Sequence, residues 1–194
     1  MLRNFCSSDG VRIDHTDGEV DALFNFLVAM NVHGFVELGM HEGGLALCLT
    51  KEMPRFYYLG VTPCYDLLDE IVQLKSQHGK FITILVGDTI SSEIITTIST
   101  WATDKWPVLY YCDGEDKQAQ VNLYRNLVRY GDFIGAHDYW NKSRIIPELP
   151  DYPYGELKPE ILDTDLKYLR HEFQSVKFAP LLNTRIAMYT RKVK

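Results

Sequence analysis

Five short apolar runs, at residues 35–38, 56–61, 81–86, 108–112 and 132–138, divide most of this chain, and each is separated from the next by a stretch of helical character. Each run is too short for a buried helix and rich in β-branched or aromatic residues, which makes it a strand. Before and between them, residues 17–31, 65–78, 91–101 and 116–130 place apolar side chains at i, i+3 and i+4, as a helix packed on one face does. Strands apolar on both faces, alternating with amphipathic helices, build a parallel sheet covered on both sides. The chain is therefore expected to be an α/β, doubly wound domain with a mostly parallel sheet. In the first helix, Val20, Leu23, Phe24, Leu27 and Val28 form the expected inner stripe, with Asp17 as N-cap.

In open sheets of this kind ligands settle beyond the carboxyl ends of the strands, so the residues ending each run carry the functional reading. The first run ends Glu37-Leu38-Gly39-Met40-His41-Glu42-Gly43-Gly44 and opens the helix Leu45-Ala46-Leu47-Cys48-Leu49. Gly39 permits a tight turn, and Gly43 and Gly44 let a ligand approach bare backbone beside a helix N-terminus. Glu37 would offer a carboxylate to a ligand's hydroxyls or amine; the alternative is a structural strand-to-helix turn. A dinucleotide fingerprint would need glycine where His41 stands. The third run ends in Gly87-Asp88, the fourth in Asp113 and the fifth in His137-Asp138.

After Trp140 the alternation stops. Pro147, Pro150, Pro153 and Gly155 punctuate a loop carrying Tyr152 and Tyr154, either a lid or a surface insertion, over about residues 140–160. A helix is expected to begin at Pro159 and continue through Ile161, Leu162, Leu166, Leu169 and Phe173. Residues 176–178 and 185–189 read as a closing antiparallel hairpin, which brings the strands to seven. With 194 residues and no second set of alternations, one domain is expected, behind a patternless lead-in at residues 1–16.

Composition excludes some function classes. A net charge of −6 without a basic stripe argues against a nucleic-acid partner. No run approaches transmembrane length, which argues against a membrane. Cys6, Cys48, Cys64 and Cys112 form no CxxC pair, and no Cys/His metal spacing occurs, so a reducing, cytoplasmic setting is expected. A homo-oligomer is compatible with the hairpin or the aromatic insertion.

Taken together, the strand-end motifs resemble those of the class I S-adenosylmethionine-dependent methyltransferases. The resemblance spans roughly residues 17–190 as architecture. Glu37-Leu38-Gly39-Met40-His41-Glu42-Gly43-Gly44 is similar to that family's first motif, which meets the methionine part of the cofactor. Gly87-Asp88-Thr89 resembles the Gly-Asp-Ser element of small O-methyltransferases, near the adenine. Asp113-Gly114-Glu115-Asp116 resembles their Asp-Gly-Asp-His, and the segment from Gly131 to Asp138 their Gly-Gly-Tyr-then-Asp strand. The likeness is greatest to the metal-dependent O-methyltransferases and the cephalosporin-hydroxylase-like group. It implies S-adenosylmethionine as cofactor, held by Glu37, Gly39, Gly43, Gly44, Thr62, Gly87, Asp88 and Asp113. Two departures stand out: Thr62 replaces the acid that grips the ribose at the end of strand two, with Asp66 a nearby substitute, and Asp116 replaces the histidine of the third motif.

Methyl transfer to oxygen needs in-line alignment and a means of removing the acceptor's proton, by a general base or a bound cation. The resemblance puts magnesium on Asp113 and Asp138, with Glu115 or Asp116 as helpers. The alternative is that strand-end aspartates cap helices or face solvent. His137 and Asp138 are the candidate catalytic pair, although strict alternation would send them to opposite faces unless the chain bends. His41 is a further candidate, as a lining residue or a catalytic one, and Tyr139, Trp140, Tyr152 and Tyr154 form either an aromatic wall for a sugar or planar acceptor or packing for the insertion. The functional expectation is a methyltransferase acting on a small-molecule or sugar oxygen; the alternative is a methyltransferase-like binding module that has lost the chemistry.

Overall fold

A computed structural model describes residues 15, 17–41, 43–53, 55–63, 72, 76, 79–140, 161–162 and 164–193. Its main sheet has the order β3-β2-β1-β4-β5-β9-β8, with β1 at Gly34–Leu38, β2 at Tyr57–Thr62, β3 at Ile82–Val86, β4 at Val108–Cys112, β5 at Phe133–Ala136, β8 at Phe173–Ser175 and β9 at Ala187–Arg191. The first five of these strands are parallel, and β9 runs antiparallel to both of its neighbours. A separate parallel pair joins β6 (Tyr139–Trp140) to β7 (Ile161–Leu162). The seven-stranded, mostly parallel sheet expected from the sequence is thus present, closed by an antiparallel strand.

Two apolar layers sandwich the sheet. On one face α1 (Asp17–Ala29) and α2 (Gly44–Glu52) cover Phe35, Tyr58, Leu109 and Tyr111. On the other, α3 (Ser92–Ala102) and α4 (Lys117–Tyr124) cover Val36, Leu38, Leu59, Val61, Tyr110 and Cys112. Alternate residues of β1 and β4 feed opposite layers, which is why both strands are buried throughout, Glu37 included. Ser91 caps α3 by accepting the Ile94 N–H, as the Ser-Ser-Glu start requires. No helix among the described residues is long and apolar enough to cross a membrane.

The structure departs from the sequence reading at four places, one being the closing hairpin, whose first strand is Phe173–Ser175 and not residues 176–178. The buried stripe of α1 is Glu19, Ala22, Leu23, Phe26 and Leu27, while Val28 is 56% exposed. The stripe is turned because Phe26 packs edge-on against Phe133 and Phe178, contacts that periodicity within α1 does not contain. The helix expected from Pro159 is instead the strand β7, a 3-10 turn at Lys167–His171 and the strand β8. Its apolar positions Ile161, Leu166, Leu169 and Phe173 are all buried in the α3/α4 layer, so their spacing reflected a shared core rather than one helix. α4 ends at Tyr124, and Tyr130, expected on its inner face, is 50% exposed. Helical Val72 and Ser76 fall in the expected 65–78 helix; the rest of that segment, the Pro159 start itself and the insertion with Tyr152 and Tyr154 lie outside the described residues.

Candidate functional site

The order of the sheet reverses between β1 and β4, and a crevice at such a point is where an α/β sheet receives ligands. Gly39 forms its base. It has φ +107°, and an added Cβ would stand 2.6 Å from the Asp113 carbonyl oxygen and from the Gly114 backbone. The amides of Gly39 and Met40 both donate to the Val61 carbonyl, which bends the loop over the end of β2. Met40 turns inward against Gly60, where a Cβ would meet its sulfur at 2.2 Å. Exposed His41 takes φ +49°, and Gly43, with φ +86°, opens α2 without any side-chain cap.

Around this crevice the candidate cofactor residues separate into two groups. Glu37 is buried on the α1/α2 face and accepts the hydroxyl proton of Tyr58. Burial holds its carboxyl well above the usual carboxylate range, an effect the Tyr58 hydrogen bond opposes and the nearby Asp113 charge reinforces. Thr62 is buried at the end of β2, and its carbonyl accepts the Gly87 amide. Asp88 is exposed and accepts the Ile90 amide, turning the chain into α3. Gln120 bridges the loops after β3 and β4: its amide nitrogen donates to Thr89 and its amide oxygen accepts the Gly114 N–H. Asp66 lies outside the described residues.

A second group lies at the ends of β4 and β5. Asp138 has φ +54°, so the chain bends after β5 and brings His137 and Asp138 to one side. His137 Nδ1 is 3.0 Å from Asp113 Oδ1, and its Nε2 is 3.5 Å from Glu19 Oε2. Arg185, just before β9, donates two side-chain hydrogen bonds to Glu19, at 2.9 and 3.0 Å, and one to Asp138. Lys117, the first residue of α4, places Nζ 3.3 Å from Asp138 and 3.7 Å from Asp113. His15 stacks on His137 with ring centroids 4.0 Å apart, and its Nε2 lies 2.9 Å from the Tyr111 hydroxyl and 3.5 Å from Asp113.

The stacked imidazoles are driven apart in charge. Burial, aided by the His137 charge, lowers His15 to about 4. Burial would lower His137 too, but the carboxylates of Asp113, Glu19 and Asp138 outweigh it and raise His137 to about 10. Burial would likewise raise Asp113, yet His137, His15 and Lys117 bring it down to about 2. At neutral pH the cluster thus has one cationic and one neutral imidazole over an ionised Asp113. Environments that push paired groups apart in this way mark candidate acid–base sites.

The sequence reading pointed to Asp113, His137 and Asp138 but not to His15, Glu19, Lys117 or Arg185. One of these carried a signal: Glu19 stands four residues before Leu23, on what proves to be the buried stripe of α1. Asp116 caps α4 by accepting the Ala119 N–H, and Glu115 is exposed. Tyr139 is buried in the α3/α4 layer, and the side chain of Trp140 lies outside the described residues.

The sequence reading put magnesium on Asp113 and Asp138, whereas the group able to hold a metal ion among the described residues is a different set. His15, Asp113 and His137 bring ligand atoms within 4.8 Å of one another, but two of the three donors are imidazole nitrogens, and magnesium favours oxygen. The two rings are only 16° from parallel, so their nitrogen lone pairs run side by side rather than converging on a point.

Comparison with solved structures identifies the architecture. CmcI in a complex with Mg and SAM matches with a TM-score of 0.66 at 17% identity, over 96% of this chain and 76% of that one. A putative caffeoyl-CoA O-methyltransferase from Staphylococcus aureus matches with a TM-score of 0.64 at 10% identity, over 95% and 87% of the two chains. The CcbJ methyltransferase from Streptomyces caelestis matches with a TM-score of 0.56 at 14% identity, over 91% and 95%. The fold is that of the class I S-adenosylmethionine-dependent methyltransferases. No family model matches the sequence, and no curated protein is significantly similar to it.

Proposed function

We propose that this protein transfers a methyl group from S-adenosylmethionine to an oxygen of a small-molecule or sugar acceptor. The observation that carries the reading is the crevice at the β1/β4 reversal, floored by Gly39 and flanked by the buried acid–imidazole cluster at the ends of β4 and β5. The glycine turn and the uncapped start of α2 are suited to the cofactor's methionine part, with Glu37, Gly39, Gly43 and Gly44 around it. Thr62, Gly87 and Asp88 stand where its ribose and adenine would lie. The cofactor supplies an electrophilic methyl on sulfur. Transfer would form the new C–O bond as the C–S bond breaks, leave the electron pair on sulfur, and pass the acceptor's proton to the carboxylate of Asp138 or Asp113. Asp138 and Asp113, with side chains 21% and 11% exposed, are the cluster's most accessible acids and the natural hydrogen-bond partners of an acceptor hydroxyl. His137 holds Asp113 in place as a cation, and His15 stacks on it as a neutral imidazole.

Calorimetry with S-adenosylhomocysteine tests the cofactor. One-to-one binding that Gly39→Val abolishes is expected; absence of binding at millimolar ligand would end the methyltransferase reading. Buried Thr62, which cannot grip two ribose hydroxyls as a carboxylate does, favours a second reading, a binding module without turnover. Binding of S-adenosylhomocysteine without consumption of S-adenosylmethionine across a panel of hydroxylated acceptors would select it.

A further inference from the structure

Asp113 and Asp138 do converge on a positive charge, and that charge belongs to the chain itself. Lys117 Nζ lies 3.7 Å from Asp113 Oδ1 and 3.3 Å from Asp138 Oδ2, on a side chain only 4% exposed. The remaining carboxylate oxygens are also engaged. Asp138 Oδ1 accepts from Arg185 Nη1, and Asp113 Oδ2 faces His15 Nε2 at 3.5 Å. Among the described residues, Lys117 and Arg185 face Asp113, Asp138 and Glu19, and His137 bonds to both Asp113 and Glu19. A divalent ion at the Asp113–Asp138 pair would stand within a few ångströms of that buried ammonium, and two positive charges so close in a buried site repel strongly. The placement follows from the fold, because α4 begins directly after the β4 loop and its first side chain reaches back over the strand end.

We propose that Lys117 supplies, as a built-in cation, the positive charge that a divalent metal would bring to the Asp113–Asp138 pair, so that this chain neither binds magnesium there nor depends on it. The consequence for turnover rests on the methyltransferase reading; the claim about the cation does not. An ammonium donates hydrogen bonds but offers no open coordination positions, so the acceptor is held by hydrogen bonds to this cluster rather than by chelation.

The test is an electron paramagnetic resonance titration of Mn²⁺ with the full chain, with Lys117→Gln and with Lys117→Gln/Asp138→Asn. The wild type is expected to leave the signal of free Mn²⁺ unchanged into the millimolar range. Lys117→Gln is expected to take up one Mn²⁺ at least about tenfold more tightly than the wild type, and the added Asp138→Asn to remove that site. One tight Mn²⁺ on the wild type that Asp138→Asn abolishes would overturn the proposal, as would a folded Lys117→Gln that gains no affinity. Should Lys117→Gln fail to fold, the wild type and Asp138→Asn decide: equal indifference to Mn²⁺ supports the proposal, and a site lost in Asp138→Asn refutes it. Affinity for S-adenosylhomocysteine, measured separately in magnesium and in chelator, is expected to be the same. Failure to bind that ligand at all would end the methyltransferase reading and leave the Mn²⁺ result standing.

Discussion

Gly39 and Glu37, two residues apart, are constrained in different ways. At Gly39 both the positive φ and the 2.6 Å approach of the Asp113 and Gly114 backbone exclude any side chain. Gly39→Ala is expected to destabilise the protein by about 2–4 kcal/mol, because backbone rather than a flexible side chain must move; urea unfolding measures this. At Glu37 the constraint is a proton. Its folded-state affinity for that proton is raised by burial, so above the ordinary carboxyl range the folded state keeps a proton that the unfolded chain releases. Stability then falls with rising pH by about 1.4 kcal/mol per unit until the folded value is reached. Glu37→Gln removes this slope, and thermal unfolding from pH 5 to 8 should show a flatter profile than the wild type. An unchanged profile would mean that the buried carboxyl is ionised. The glycine was legible in the sequence as a turn; the proton was not, because the partner Tyr58 lies on the neighbouring strand.

At the scale of elements, the strands were legible and the cluster was not. Short apolar runs declare themselves locally, since every residue of β1 and β4 must suit one core layer or the other. The group around His137 draws on α1, the turn after β5, the start of α4 and the residue before β9, and no spacing along the chain links Glu19 to Arg185. That pair fastens α1 to the antiparallel closing strand. With Glu19 buried and Arg185 bonded to it through three nitrogens, backbone included, Glu19→Ala should cost about 3–5 kcal/mol by leaving the guanidinium without its main partner. A double-mutant cycle with Arg185→Met, read by urea unfolding, should recover much of that loss. Purely additive losses would show that the two groups do not support each other. The segment after Trp140 shows the same limit from the other side: Ile161, Leu166, Leu169 and Phe173 have helical spacing, yet they are recruited separately into one layer by β7, a 3-10 turn and β8.

For the molecule as a whole, the two stacked histidines set opposite limits on the pH range of stability. His15, lowered to about 4, stays neutral in the folded state while the unfolded chain takes up a proton below about 6.5, so its contribution is lost as pH falls from there. His137, raised to about 10, contributes fully below about 6.5 and loses that contribution as pH rises toward its folded value. His137→Gln should therefore flatten the alkaline limb of stability against pH, and His15→Gln the acid limb; denaturant midpoints between pH 4 and 9 check both. Saturating S-adenosylhomocysteine at about a hundred times its dissociation constant should add about 2.7 kcal/mol if only the folded state binds it. By itself the sequence determined the layered α/β architecture, the five parallel strands and the turns that end them, because hydrophobic periodicity and glycine turns are properties of neighbouring residues. The tertiary structure alone decided which acids are charged, that Lys117 stands between Asp113 and Asp138, and that His15 faces His137. Those outcomes depend on burial and on distances of a few ångströms between residues as far apart as Glu19 and Arg185, which only the assembled layers fix.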